Sequence, residues 1–366
     1  MYKLFTSESV AAGHPDKICD QVSDAIVDAA LKAEPRSKVA VETLVTKDRI
    51  VLAGEVTTKG HPNYEEVARG VIKALGYTKE SFGFTSRSPI ETYIHLQSAE
   101  IAAGVEQDGA GDQGMMFGFA TNETENFMPT PISLAHSLVQ GLDRLRESGK
   151  LPYLYPDGKS EVTVSYEKGK PKEVERIVLA AAHEKKITEK QLRADIFKYL
   201  VKPILNRFDF AVNNDSLVVN GAGPWTTPGP ASDTGVTGRK IVIDTYGGFA
   251  RAGGGAFSGK DPTKVDRSGA YAARYIAKNI VAAKLADRVE IQVAYVIGQP
   301  EPLARAIETF GTERKSMKVI ESFAWGLLKL SVPAIIETLR LRRPIYQETA
   351  RYGHFGRENF SWEKLI

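Results

Sequence analysis

The chain carries one cysteine, Cys19, in 366 residues, which excludes an intramolecular disulfide and suits a reducing compartment. It has no run of about 18 apolar residues, the length a membrane-spanning helix needs, so no membrane segment is expected. Its first residues, Met1 to Ser9, hold no apolar stretch of signal-peptide type; the expected location is the cytoplasm. Charge of one sign is also missing. Against 48 Lys and Arg stand 45 Asp and Glu, a net +3, too weak a field to imply nucleic-acid binding. Any positive potential has to be local. No internal repeat is legible residue by residue, and no nucleophile-and-base signature of covalent catalysis stands out.

What is present is a folded protein. A hydrophobic content of 42% with 25% charged residues describes a packed, water-soluble chain long enough for about two or three domains. Its densest feature is the glycine-rich stretch from Gly247 to Gly259, followed by Lys260, Asp261, Pro262, Lys264 and Asp266. The apolar run Lys240–Tyr246 predicts a strand before it. Val265, Gly269, Ala272, Ile276, Ile280 and Ala283 predict a helix after it, with Asp261 at the N-cap and Pro262 at the first helical position. Strand, glycine loop and helix start make a place for a polyanion, to which Arg251, Lys260 and Lys264 add charge. Gly254 to Asp261 reads G-x-x-x-x-G-K-D, one residue from the phosphate-loop pattern. A carboxylate in its last place would suit Mg²⁺, and Asp261 with Asp266 beside cations suggests phosphate plus metal. A glycine loop alone also serves as a plain turn.

Gly13-His14-Pro15-Asp16-Lys17 opens a second strong helix, with Ile18, Val22, Ala25, Ile26 and Ala29 as its apolar stripe. Asp16, Asp20, Asp24 and Asp28 share one face. For the last three, a solvated acidic face is expected; His14 and Asp16, at the helix entrance, could instead bind phosphate and its metal. Two strands, Lys38–Thr46 and Arg49–Thr58, turn at Lys47-Asp48, so Glu42 faces Ala53. Val39, Val41, Val45, Ile50, Leu52 and Val56 form the apolar face. Glu42 and Glu55 are diagonal neighbours on the other face, meeting a cation or simply water. A helix follows over 63–75 and a strand over 91–96. Residues 97–108 are small and polar and lead into Gly109-Ala110-Gly111-Asp112-Gln113-Gly114, a lid or a linker.

Thr130-Pro131 starts a helix through Leu145. Asp157-Gly158-Lys159 reads as a turn before a strand over 161–166, with Lys159 free to reach a phosphate or to stay in water. A further strand is expected over 175–182 and a helix over 188–208. Trp225 sits on a Pro/Gly loop, where it could stack on a nucleobase or cap a core edge. A strand over 289–297, helices over 316–328 and 332–341, and an irregular aromatic tail around Gly353-His354-Phe355-Gly356 complete the chain.

The stretches Thr6 to Lys17, Gly109 to Gly114, Thr237 to Asp266 and Gly353 to Gly356 run from end to end of the chain. Together they closely resemble the S-adenosylmethionine synthetase family of bacterial type. The resemblance implies an α+β fold of three pseudo-threefold-related domains, placed here at 1–98, 109–226 and 227–366, with 97–108 as a mobile loop at the active site. It implies homodimers or homotetramers with sites between subunits, ATP and L-methionine as substrates, and two Mg²⁺ and one K⁺. Carried over by position, His14 would bind the triphosphate near the leaving oxygen, Asp16 and Asp266 would hold Mg²⁺, and Glu42 would hold K⁺. Asp157, Gly158, Lys159, Pro224, Trp225, Asp233, Arg239, Lys240, Ala256 and Lys260 would contact ATP. Glu55, Gln97, Asp112, Asp233 and Lys264 would contact methionine. Pro224 stands where the family commonly has Arg, Trp225 falls at the adenine-stacking aromatic, and the 97–108 loop is shorter than in well-known bacterial members.

The chemistry is consistent with these residue types. A thioether sulfur carries no proton, so its attack on C5′ of ATP needs no general base. What needs stabilising is the departing triphosphate, a task for Lys, Arg, His and Mg²⁺. Two alternatives remain: a phosphoryl-transfer NTPase built on the 254–261 loop, and a non-catalytic synthetase subunit.

Overall fold

The computed structural model describes residues 3–96 and 109–366; Gln97 and the 97–108 loop lie outside the described residues. Three sheets, each backed by one long helix, carry the architecture. Strands β2 (Lys38–Thr46) and β3 (Arg49–Thr57) pair antiparallel, with Glu42 opposite Ala53 as the turn spacing predicts. β4 (Ile90–His95) joins β3 in parallel, and β9 (Gly235–Val236) closes the other edge. All six predicted apolar residues of β2 and β3 are buried against helix α1 (Pro15–Ala33). α2 (Tyr64–Ala74), capped by the Asn63 side chain, packs beside α1.

β1 (Leu4–Val10) lies next to β6 (Leu154–Glu167), then β7 (Lys170–His183) and β8 (Leu217–Val219), with α3 (Thr130–Glu147) across them. β5 (Gly114–Thr121), β10 (Arg288–Tyr295) and β11 (Ala304–Glu308) form the third sheet, covered by α7 (Val265–Ala282). Each sheet therefore takes a strand from a remote part of the chain, since β1, β5 and β9 cross over. The stretch from 189 onward forms α4 (Glu189–Ile196), a wider turn over Phe197–Val201, and α5 (Lys202–Arg207). No single helix among the described residues is long and apolar enough to cross a membrane.

Four local expectations are corrected. Asp157-Gly158-Lys159 lies inside β6, where the pairing with β7 shifts register between Leu154 and Gly158. The turn-forming residues mark a bulge, not a chain reversal. Residues 240–246 form no strand; Ile241–Asp244 is a short helix, α6. The Asp244 N–H closes a helical turn on Lys240 O at 2.8 Å, and the edge beside β2 is already taken by β9. α7 begins at Val265, not at Asp261. The Asp261 carboxylate turns inward instead, accepting from Val39 N–H at 2.8 Å and from the Thr263 N–H and hydroxyl at 2.9 and 2.7 Å.

The fourth correction is the largest. Asp20 and Asp24 are fully buried, and the acidic face of α1 is a docking rail. Asp16 Oδ1 accepts from Val236 N–H (2.9 Å), Asp20 Oδ1 from Gly238 N–H (2.8 Å), and Asp24 Oδ1 from Gly259 N–H (2.9 Å). Asp28 accepts from the N–H groups of Tyr346 and Gln347, in the short helix Tyr346–Thr349, at 2.8 and 2.9 Å. Four carboxylates along one helix thus satisfy backbone donors from three segments of the C-terminal third, at 236–238, 259 and 346–347. Buried polar groups need such partners, and the loops supply them.

The aromatic tail closes the core. Trp362 stacks on Tyr271 at 3.7 Å, and Phe355 stacks on Tyr246 at 4.9 Å. Glu363 meets Arg274 at 2.9 Å and Lys278 at 3.0 Å, which is how α7 can bury cations on a nearly all-buried helix.

Candidate active site

The candidate residues fall into two groups. The first surrounds the start of α1. His14 is the N-cap, and its Nδ1 accepts the Asp16 N–H at 3.2 Å. Burial, then the charges of Lys240 and Lys159, push its pKa down to about 3. A neutral ring whose Nδ1 accepts must carry its proton on Nε2, so His14 offers one N–H donor. Burial raises the Asp16 carboxyl, but the Lys240 hydrogen bond, the Val236 N–H and the Lys240 charge outweigh it and hold the group below its ordinary range. Lys240 Nζ bonds Asp16 Oδ2, and Arg239 Nε stands 3.7 Å from Oδ1. Lys159 arrives from β6, opposite Val10 of β1, and its side chain is exposed.

Asp157 Oδ2 accepts the Gly229 N–H at 2.7 Å, which ties the 221–233 loop to β6. Burial pushes its carboxyl up to about 7, and Oδ1 has no hydrogen-bond partner. On that loop Pro224 and Asp233 are exposed and Trp225 is half-buried. The indole N–H donates to Thr227 O at 2.7 Å, so the ring is fixed by its own loop.

The second group lies around the glycine loop. Lys260 Nζ is 2.7 Å from Asp266 Oδ2, and Lys260 also forms a backbone bridge with Ala40 of β2. Ala40 pairs with Glu55, so both predicted glutamates share the sheet face beside Lys260. Desolvation raises the Glu42 carboxyl, with the Lys260 charge opposing it. A Cβ at Gly255 would fall 2.0 Å from Asp266 Cγ, and one at Gly111 would fall 3.1 Å from Lys264 Cδ. The second approach seats Gly111, which precedes the exposed Asp112, against Lys264. The groups meet where Ala256 abuts Gly238, at 2.6 Å from an added Cβ.

Three features of the glycine loop differ from the phosphate-loop expectation. Gly259 N–H is taken by Asp24, Asp261 is turned into the core, and Arg251 is paired with Glu290 at 2.6 Å. Asp261 is thereby removed from the candidate site, and Arg251 is tied to the sheet strand β10. Sequence reasoning also passed over Lys17, Asp20, Asp24, Asp244 and Arg267, the buried charges that hold the site's loops. The four-residue spacing of the aspartates was the available signal, and it needed only the reading that they face a partner.

Fold and site together define a three-sheet α+β protein whose cations and carboxylates are suited to a highly charged anion. The N-terminal, central and C-terminal domain models of S-adenosylmethionine synthetase match residues 2–99, 107–225 and 227–364. The chain is 47% identical to an S-adenosylmethionine synthase of Clostridium tetani, covering 100% of this chain and 97% of that protein. It is 47% identical to one of Mesoplasma florum (100% and 98%) and 49% identical to one of Roseiflexus castenholzii (99% and 94%). The chain belongs to the S-adenosylmethionine synthetase family, whose members generally need metal ions.

Proposed function

We propose that this chain is a methionine adenosyltransferase, joining ATP, L-methionine and water into S-adenosylmethionine, phosphate and diphosphate. The observation that carries the reading is the first group: α1, β6 and the 236–240 loop bring one neutral imidazole, one carboxylate and three cations to a helix N-terminus. Such a set stabilises negative charge developing on an oxygen. It holds no serine or cysteine nucleophile.

The methionine sulfur attacks C5′ of ATP, a C–S bond forms as the C5′–O5′ bond breaks, and the electron pair leaves on the triphosphate. His14 Nε2–H donates to the leaving oxygen, while Lys159, Arg239, Lys240, Lys260 and Lys264 bind the remaining oxygens. Trp225 stacks on the adenine, supported by Pro224, Asp157, Gly158, Asp233 and Ala256. Glu55 takes the methionine ammonium, with Gln97, Asp112, Asp233 and Lys264 around the amino acid. Water then cleaves the bound triphosphate under the same cations.

The donor set fits Mg²⁺ held mainly by substrate. Among the described residues no three His, Cys, Asp or Glu side chains cluster as a metal cage. Asp16 and Asp266 each offer one carboxylate, the usual protein share of a Mg²⁺–phosphate site. Bound there, two Mg²⁺ would neutralise phosphate charge, and K⁺ at Glu42 would add one more. We place the three domains at 1–98, 109–226 and 227–366. The active site lies between two subunits of a homodimer or homotetramer in the cytoplasm.

A product assay with ATP, methionine, Mg²⁺ and K⁺ tests the reading. Methionine-dependent S-adenosylmethionine with equal phosphate and diphosphate is expected. ADP formed without methionine would overturn it in favour of a phosphoryl-transfer enzyme.

A further inference from the structure

Between the two ends of the Gly238-Arg239-Lys240 segment lies a buried ion triad. Lys17 Nζ stands 2.8 Å from Asp20 Oδ2 and 2.5 Å from Asp244 Oδ1, with side-chain exposures of 1%, 0% and 5%. The free oxygen of Asp20 accepts the Gly238 N–H at 2.8 Å. On the far side, the Asp244 N–H donates to Lys240 O at 2.8 Å. One cation therefore bridges both acids: the Asp20 carboxylate holds the backbone immediately before Arg239, and Asp244 sits at the end of the helical turn whose first carbonyl is that of Lys240.

Burying three charges is a poor way to gain stability, because desolvation offsets most of the attraction and apolar side chains of similar volume often hold a core as well. An apolar trio could not accept the Gly238 N–H or orient the turn that carries the two cations. We propose that Lys17, acting through Asp20 and Asp244, is a positioning residue: it sets Arg239 and Lys240 where they meet the triphosphate. Lys17 touches no substrate. Its role rests on the reading of Lys240 as a triphosphate ligand.

The geometry makes the effect specific. Loosening the Gly238 anchor moves two polyphosphate-binding side chains and leaves Glu55 and Lys264, on other elements, where they are. Polyphosphate affinity and turnover should fall while the methionine KM holds.

The test measures tripolyphosphate affinity by calorimetry, with kcat and methionine KM, for full-length Asp20→Ala, Asp20→Asn, Lys240→Ala and Leu138→Ala. Leu138 is buried on α3, is in neither the triad nor the candidate site, and serves as a variant that loses stability only. Asp20→Ala should lose about tenfold or more in tripolyphosphate affinity and in kcat, the scale of a small misplacement of binding groups, with methionine KM within about twofold. Asn, which keeps one oxygen for Gly238, should recover part of the loss. Wild-type affinity in folded Asp20→Ala beside a loss in Lys240→Ala overturns the positioning role. So does an equal loss in Leu138→Ala at matched thermal stability. Should Asp20→Ala not fold, Asp20→Asn decides: weakened affinity supports the role and wild-type affinity overturns it. Unchanged affinity in Lys240→Ala overturns the underlying reading of the site instead.

Discussion

Arg267 and Asp24 face each other as a two-pronged fork, Nη1 to Oδ1 at 2.6 Å and Nη2 to Oδ2 at 2.8 Å, with neither side chain exposed. The pair joins the first long helix to the last. It also reaches the site: Arg267 Nη1 donates to Lys260 O at 3.1 Å, and Asp24 accepts the Gly259 N–H. The second prong donates to Thr349 Oγ1 at 2.8 Å. Removing either partner leaves an uncompensated buried charge. Arg267→Met alone should cost about 3–5 kcal/mol in denaturant unfolding, and Asp24→Leu with Arg267→Met should recover the part due to the unpaired charge but not the part due to the Gly259 N–H left without its acceptor. Additive losses in the double variant would show that the pair is not the source.

Gly259 is held at φ +82°, and a Cβ there would come within 2.1 Å of Val41 O. Gly259→Ala should therefore lose at least about 1 kcal/mol and displace the neighbouring Lys260, lowering activity. A Cβ at Gly254 meets nothing within 4 Å. Gly254→Ala should stay within about 0.5 kcal/mol of wild type, and thermal melts of the two variants side by side check the contrast.

Lys240 contributes its charge where the leaving group develops negative charge. Lys240→Ala should reduce kcat by about 10²–10³, the usual cost of one such donor. Steady-state kinetics on the variant decide, and a wild-type kcat would remove Lys240 from the charge-stabilising set.

Metal dependence should follow the carboxylates. Chelation of Mg²⁺ should stop S-adenosylmethionine formation, and Asp16→Ala and Asp266→Ala should each raise the Mg²⁺ concentration needed for half-maximal rate. Glu42→Gln should blunt activation by K⁺ while leaving the Mg²⁺ requirement unchanged. Titration of each ion at saturating substrate reads both effects.

His136 is buried, bonded through Nδ1 to Ser9 Oγ at 2.8 Å, and burial first, then the charge of Arg357, pushes its pKa down to about 3. In the unfolded chain it titrates near 6.5. Between pH 6.5 and 3 the unfolded state therefore binds the extra proton, and stability falls as pH falls through that window. The slope from this one group is at most about 1.4 kcal/mol per pH unit. His136→Gln should flatten the acid limb of a plot of Tm against pH by that share. An unchanged limb would show that His136 charges freely in the fold.

Several elements were legible because their physics is local. The hairpin register at Glu42 and Ala53 follows from a two-residue turn, and the inward face of β2 and β3 from period-two alternation. The helices starting near Asn63 and Thr188 and the long helices α1, α3 and α7 follow from apolar spacing. His14, Asp16, Lys240, Lys260 and Asp266 were named as site residues from their positions in motifs, and the fold brings them together in two groups.

What the amino-acid order determined by itself is where helices start, which faces are apolar, and which cations and carboxylates belong to one family pattern. Tertiary structure alone decided the fate of the charges. Asp20 and Asp24 have the composition of a solvated face, yet backbone donors at Gly238 and Gly259, more than two hundred residues away, bury them. Asp261 looked like a metal ligand and became a tie to Val39. A carboxylate in water and one satisfied by a distant N–H are the same residue in sequence. Only the packing that brings the donor determines which one the protein contains.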